Sequence, residues 1–147
     1  MKVILYILIG LVVLVLALFA VLGKKSRSGH APGLIEGRLA PCSGKPNCVS
    51  SEEGTDARHK VGAYRGVSLT DLKSAIKRSG GKITKQDDVY LAAEFTSKMF
   101  KFVDDFEARQ EGDTIQIRSA SRVGHSDAGV NRKRVEAIRN MLKQEKE

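Results

Sequence analysis

The chain has 147 residues, a net charge of +8, few aromatics and no tryptophan. Setting aside the apolar N-terminus leaves about 115 residues, enough for one modest core and one domain. The basic balance suits either nucleic acid or an anionic surface. No aromatics are interleaved with the basic residues as a single-strand binder needs, so lipid headgroups are the simpler partner and nucleic acid is not expected.

Val3 to Gly23 carries no charge and is almost entirely Val, Ile, Leu, Ala and Phe. At ~1.5 Å per residue such a helix spans about 31 Å, roughly one hydrocarbon core. Lys2 precedes it, and Lys24, Lys25 and Arg27 follow. The rival is a cleaved signal peptide, whose apolar region is shorter, about 7–15 residues, with a small-residue exit. The uncleaved anchor or signal-anchor over residues 1–23 is the favoured reading. Counting positive charge slightly favours a cytoplasmic body. The two-residue N-terminal tail and the cysteines below favour export, so the expected localisation is single-pass, with the body extracytoplasmic (periplasmic).

Residues 24–38 are rich in Lys, Ser, Gly and Pro without periodicity and read as a flexible linker. Residues 39–147 then form the single globular domain. Leu39 to Ser51 is turn-rich, and Glu52 to Lys60 reads as an exposed loop. Val61 to Gly66 is a short strand. Ser68 with Asp71 has capping-box spacing, and Leu69, Leu72, Ile76 and Ser79 share a helical stripe that Gly80-Gly81 ends.

Three runs of period two follow, with a shorter strand over Ile83 to Gln86. Val89, Leu91, Ala93 and Phe95 share a face, as do Phe100, Phe102, Phe106 and Ala108, and Ile115, Ile117 and Val123. Gln110 to Asp113 is a hairpin tip. The expected register sets Ala108 beside Ile115, Phe106 beside Ile117 and Asp104 opposite Ser119. A last helix runs from about Asp127 to Gln144, capped by Ser126 or Asp127, with Val135, Ile138 and Leu142 as its apolar stripe. The fold class is α+β: an N-terminal transmembrane helix, then a small antiparallel sheet with helices on one face.

Polar residues in core phase are the candidate binding residues. Asp104 is in phase with Phe102 and Phe106, and Ser119 and Ser121 share that face. Asn131 lies one turn before Val135, and Arg134 flanks the stripe. A buried carboxylate is costly unless paired, so the group either fixes the last helix or lines a ligand pocket. On the other face Asp105 is expected opposite Arg118 and Glu107 opposite Gln116, as exposed pairs. Arg122 beside Lys101 would be a like-charge pair or an anion site. Gly124, Ser126 and Asp127 lead into a helix N-terminus, either an anion site or a capped turn. His125 reads as an exposed turn residue more readily than as a general base.

Cys42 and Cys48 are separated by five residues, wider than common zinc pairs, and neither has an identifiable base or further ligands. A disulfide closing this loop is favoured over free thiols, and no metal or cofactor is expected.

Pro46-Asn-Cys-Val-Ser-Ser51, Phe102-Val-Asp-Asp105 and Arg118-Ser-Ala-Ser-Arg-Val-Gly-His-Ser-Asp-Ala-Gly-Val-Asn-Arg-Lys-Arg134 together resemble the domain of unknown function 1499 family. The resemblance covers roughly Leu39 to Arg139. It implies a bacterial envelope or plastid protein with an N-terminal signal or membrane segment, and no established biochemistry. The family pattern often has aromatics at the positions of His125 and Ala128, which argues against a catalytic His125. Cys48, Asp104, Asp105, Ser119, Ser121, Arg122, Asp127, Asn131 and Arg134 match its motifs.

Three functions are compatible with these features. A membrane-tethered domain binding a small anionic or lipid-like ligand ranks first, and a structural or assembly partner of another envelope protein second. A hydrolase-like enzyme using Asp104 with Ser119 or Ser121 ranks last, because no triad, metal motif or second carboxylate accompanies them.

Overall fold

The structure is a computed structural model that describes residues 1–144. A long helix α1 (Lys2–Arg27) is followed by a two-stranded hairpin, β1 (Leu34–Ile35) and β2 (Arg38–Leu39). The stretch expected to be a linker thus carries the last turn of α1 and the start of this hairpin. The body comprises β3 (Cys48–Ser50), β4 (Tyr64–Arg65), α2 (Leu69–Arg78), β5 (Lys82–Gln86), β6 (Tyr90–Thr96), β7 (Val103–Glu111), β8 (Thr114–Ser121) and α3 (Val130–Gln144). The fold is α+β. The antiparallel sheet runs β3-β8-β7-β6-β5, and β4 pairs with the other half of β8.

Both body helices cover one face. Ser68 and Asp71 form a reciprocal capping box that starts α2. Its Leu72, Ala75 and Ile76 meet Leu91, Ala93, Phe95, Phe106, Ala108, Ile115 and Ile117 from the sheet and Val135, Ile138 and Leu142 from α3. Each Leu, Ile, Val and Phe among them gains roughly 1.5–3 kcal/mol by leaving water, so this seam is the main stabilising core.

The β7–β8 register differs from the expected one by two residues: Ala108 pairs with Ile117, Phe106 with Ser119 and Asp104 with Ser121. The cause lies in the turn. Its two central residues are Gly112 and Asp113, and Gly112 has φ +60. The expected register would centre the turn on Glu111 and Gly112 and ask Glu111 to take the positive φ that favoured two-residue turns need at the first position. A shift of two preserves the inward faces, because side chains alternate with period two.

Other expectations change as well. Cys48–Ser50, within the stretch read as turns, adds β3 to the sheet edge, and all three residues are buried. β7 begins at Val103, so Phe100 and Phe102 leave the core face and meet α1 instead. Val89 is exposed and Val123 lies beyond β8. α3 starts at Val130, three residues later than expected, because Ala128 and Gly129 both take positive φ and cannot be helical.

The sheet face away from α2 and α3 was expected to be exposed. It is covered by the segment after α1: Leu39 packs with Tyr90 and Ala92, with Ala31 beside them. Asp105, Glu107 and Arg109 are therefore buried.

Candidate functional site

Strand alternation delivers polar side chains to both faces of β7 and β8. On the helix face, Ser119 and Asn131 are fully buried. Ser119 Oγ donates to Asn131 Oδ1 at 2.6 Å. Asn131 Nδ2 donates to Ser121 Oγ at 3.0 Å, to Asp127 Oδ2 at 2.8 Å and to the Asn47 carbonyl at 3.2 Å. Arg134 Nη1 donates to Ser119 Oγ at 3.1 Å and to Asn131 Oδ1 at 2.5 Å, while Nη2 reaches Asp104 Oδ2 at 2.7 Å. The guanidinium also lies over the Phe95 ring, 4.5 Å from its centroid. Asp104, Ser119, Ser121, Asp127, Asn131 and Arg134 thus form one network, in which every buried polar atom of Asn131 has a partner.

Asp127 closes the start of α3. Its carboxylate accepts from Gly129 N at 3.0 Å and Asn131 N at 2.7 Å, and the Ser126 hydroxyl accepts from Ala128 N. The amides that would meet an external anion are already bonded within the turn. Burial alone would raise the Asp127 pKa, but these backbone hydrogen bonds and the Asn131 side chain outweigh it and hold the carboxyl below its ordinary 3.8. A depressed carboxyl contributes stability that is complete above the ordinary value and is lost as pH falls through the lowered one. Asp127→Ala is expected to destabilise the full chain by about 1–2 kcal/mol at neutral pH. In urea titrations at descending pH, the gap between wild type and variant should shrink below pH 3.8.

On the opposite face, where the strand alternation places them, Asp105 and Arg122 form a group separate from the Asn131 network. Arg122 does not pair with Lys101 as a like charge. Its Nε and Nη2 donate to the two Asp105 oxygens at 2.8 and 2.7 Å, Nη2 also reaches Glu94 Oε1 at 2.6 Å, and Nη1 reaches the Ser26 carbonyl. The Asp105 hydrogen bonds, offset in part by burial, raise the Arg122 pKa and fix its charge.

Asp105 faces Ala120 rather than Arg118, and Glu107 faces Arg118 rather than Gln116, both consequences of the shifted register. Glu107 is fully buried and accepts from Arg118 Nη1, the Tyr90 hydroxyl and Gly33 N. Burial and this Glu107 contact push the Tyr90 pKa up. Arg109 forks onto both oxygens of Glu52 at 2.5 and 2.9 Å. Burial would raise the Glu52 pKa, but hydrogen bonds from Arg109 and Leu39 N leave it lowered.

Cys42 and Cys48 are joined by a disulfide, which removes both sulfurs from metal ligation. Asn47 inside that loop accepts from Ser121 N and donates to the Gly124 carbonyl. His59 is buried, with Nδ1 against Asp56 Oδ2 and Nε2 against the Lys45 carbonyl at 3.0 Å. Sequence reading missed Glu52, His59, Glu94, Arg109 and Asn47. Only Asn47 had a signal, its place within the Pro46-Asn-Cys motif.

Two adjoining clefts border the helix-face network and share Ser97, Asp104 and Val130. The larger, of about 650 Å³, is bordered by Lys98, Lys133 and Arg134 with Phe95 and Ala137 as apolar wall. The smaller, of about 270 Å³, reaches Phe19 and Leu22 of α1. Arg134 is spent on Asp104, so Lys98 and Lys133, which form no ion pair among the described residues, are the cations left to face a ligand.

α1 is long and apolar enough to cross a membrane, a test that a signal sequence also passes. No curated protein gives a significant match to this chain. The family described as Protein of unknown function (DUF1499) matches residues 38–142, which takes in the disulfide loop, the whole sheet of the body, the Asn131 network and nearly all of α3. Over that span, this chain belongs to the DUF1499 family.

Proposed function

We propose that the protein is a single-pass, membrane-anchored domain that binds an amphipathic ligand with an anionic head. The head lies against Lys98 and Lys133 in the larger cleft, and the apolar part extends past Val130 towards Phe19 and Leu22. The observation that carries this reading is that the two clefts adjoin, sharing Ser97, Asp104 and Val130 in their walls. A ligand drawn from the bilayer would meet α1 first and the lysines second. The disulfide supports an extracytoplasmic body, since such bonds persist in oxidising compartments.

The hydrolase-like alternative draws no support from the hydroxyls. Ser119 and Ser121 are held by Asn131 and Arg134, and Asp104 is held by Arg134, leaving no base beside a nucleophile among the described residues. The assembly reading through a sheet edge is weakened at β5, where Lys82, Lys85 and an irregularity between Ile83 and Lys85 guard the edge.

The test is native mass spectrometry of the full chain released from native-lipid nanodiscs. Wild type is expected to retain one lipid-sized mass. The Lys98→Gln/Lys133→Gln variant should lose about 2 kcal/mol of binding, roughly thirtyfold in affinity. Equal retention by both would remove the lysine cleft as the binding site.

A further inference from the structure

The β6–β7 connection, Ser97 to Phe102, is built unlike the other hairpin turns of the sheet. Its sequence is Ser-Lys-Met-Phe-Lys-Phe. Met99 is 80% exposed. Phe100 stacks on Phe19 of α1 with ring centroids 4.9 Å apart, and Phe102 meets the same ring edge-on at 6.2 Å. Phe19 lies four residues before Gly23, so about 6 Å of helix separates it from the end of the apolar run.

Two contacts fix the loop at that height. Gly23 has no room for a Cβ against the Phe100 carbonyl. The buried Ser26 hydroxyl accepts from Val103 N at 2.8 Å and donates to Val103 O at 3.2 Å, extending the end of β7 onto the helix. A bilayer deep enough to cover Phe19 therefore also reaches Phe100 and Met99. Lys101 follows these side chains, with a stem long enough to carry its charge back to headgroups. At the far end of the sheet, the β5–β6 and β7–β8 turns carry Asp87, Asp88 and Asp113, which an anionic surface repels.

We propose that the Ser97–Phe102 loop is a second membrane contact, inserting Met99 and Phe100 into the leaflet where α1 ends and docking the body on the lipid surface. The proposal rests on α1 crossing the bilayer and is independent of ligand binding in the cleft.

The absence of tryptophan allows single-tryptophan reporters in the full chain. Met99→Trp, Val89→Trp and Leu11→Trp are reconstituted in vesicles of phosphatidylcholine and phosphatidylglycerol whose acyl chains carry bromine near the headgroup or at mid-depth. Val89 is exposed at the far β5–β6 turn, and Leu11 lies mid-helix on α1. Met99→Trp emission is expected to shift to the blue and fall about twofold or more with the shallow bromines, a depth suited to interfacial insertion. Leu11→Trp should be quenched by the deep bromines and Val89→Trp by neither. Quenching of Leu11→Trp with Met99→Trp unquenched would overturn the loop contact while leaving the anchor intact. No quenching of Leu11→Trp, or equal quenching of Val89→Trp and Met99→Trp, would overturn it through its premise or its geometry. Loss of the cleft-bound mass, in turn, would leave these fluorescence results unchanged.

Discussion

Arg122→Met is expected to lower the stability of the full chain in detergent by about 3–5 kcal/mol, the usual cost of removing one partner from a buried pair. The guanidinium is almost wholly enclosed and forks onto Asp105, whose side chain is 5% exposed. Without Arg122, the Asp105 carboxylate keeps no ion-pair partner among the described residues, and the Ser26 carbonyl loses its contact with the guanidinium. Against a total stability of about 5–15 kcal/mol, this single change approaches the unfolding threshold. Adding Asp105→Leu to Arg122→Met is expected to recover most of the loss, because the deeply buried one of the two orphaned carboxylates disappears while Glu94, 27% exposed, stays in reach of water. Lys101→Met, on the exposed loop nearby, should stay within about 0.5 kcal/mol of wild type. Guanidinium titrations followed by circular dichroism measure all three. A loss below 1 kcal/mol for Arg122→Met would mean that water reaches this face and the cover formed by residues 29–40 is open.

Asn131→Ala is expected to cost about 3 kcal/mol, since each buried polar group left without its partner costs roughly 1–3 kcal/mol. Asn131 is the hub of the helix-face network: it accepts from Ser119 and Arg134 and donates to Asp127, Ser121 and the Asn47 carbonyl. Its loss strands Ser119 beneath α3 and frees the Asn47 end of the disulfide loop from the helix. Asn131→Asp should be nearly as harmful, because a carboxylate cannot donate to Asp127, Ser121 and Asn47 and sets a second negative charge beside Asp127. Thermal melts, together with hydrogen exchange at the Ser119 and Ser121 amides, measure the effect. A variant that melts within a degree of wild type would show that Asn131 adds little to the hold on α3 supplied by Val135, Ile138 and Leu142 and by Arg134, Tyr64 and Arg139.

Much of the architecture was legible because it rests on local rules. Period two places Leu91, Ala93, Phe95, Phe106, Ala108, Ile115 and Ile117 in the core, and helical spacing places Leu72, Ile76, Val135, Ile138 and Leu142 there; all are buried. Ser68 and Asp71 make the capping box that their spacing predicts. The Asn131 network was legible in the same way, since Asp104, Ser119 and Ser121 fall in core phase and Asn131 falls one turn before Val135. The second polar face was not. Asp105, Glu107 and Arg109 alternate as charges do on a solvent-facing strand, and nothing within β7 signals that residues 29–40 return to cover them.

Local pattern suffices for the apolar helix, the inward face of each strand, the helix stripes and the residues that meet beneath α3, because these follow from the 3.6 and 2.0 periods of the backbone and from burial. The β7–β8 register, the pairing of Arg122 with Asp105 and the docking of Phe100 on Phe19 emerge only from the packed chain. The register turned on which residue takes a positive φ, and a two-residue slip leaves every hydrophobic face unchanged. The pairing joins residues 17 apart across the β7–β8 hairpin and the docking joins α1 to the β6–β7 loop, and both depend on how the chain after α1 crosses the sheet, a route no local pattern encodes.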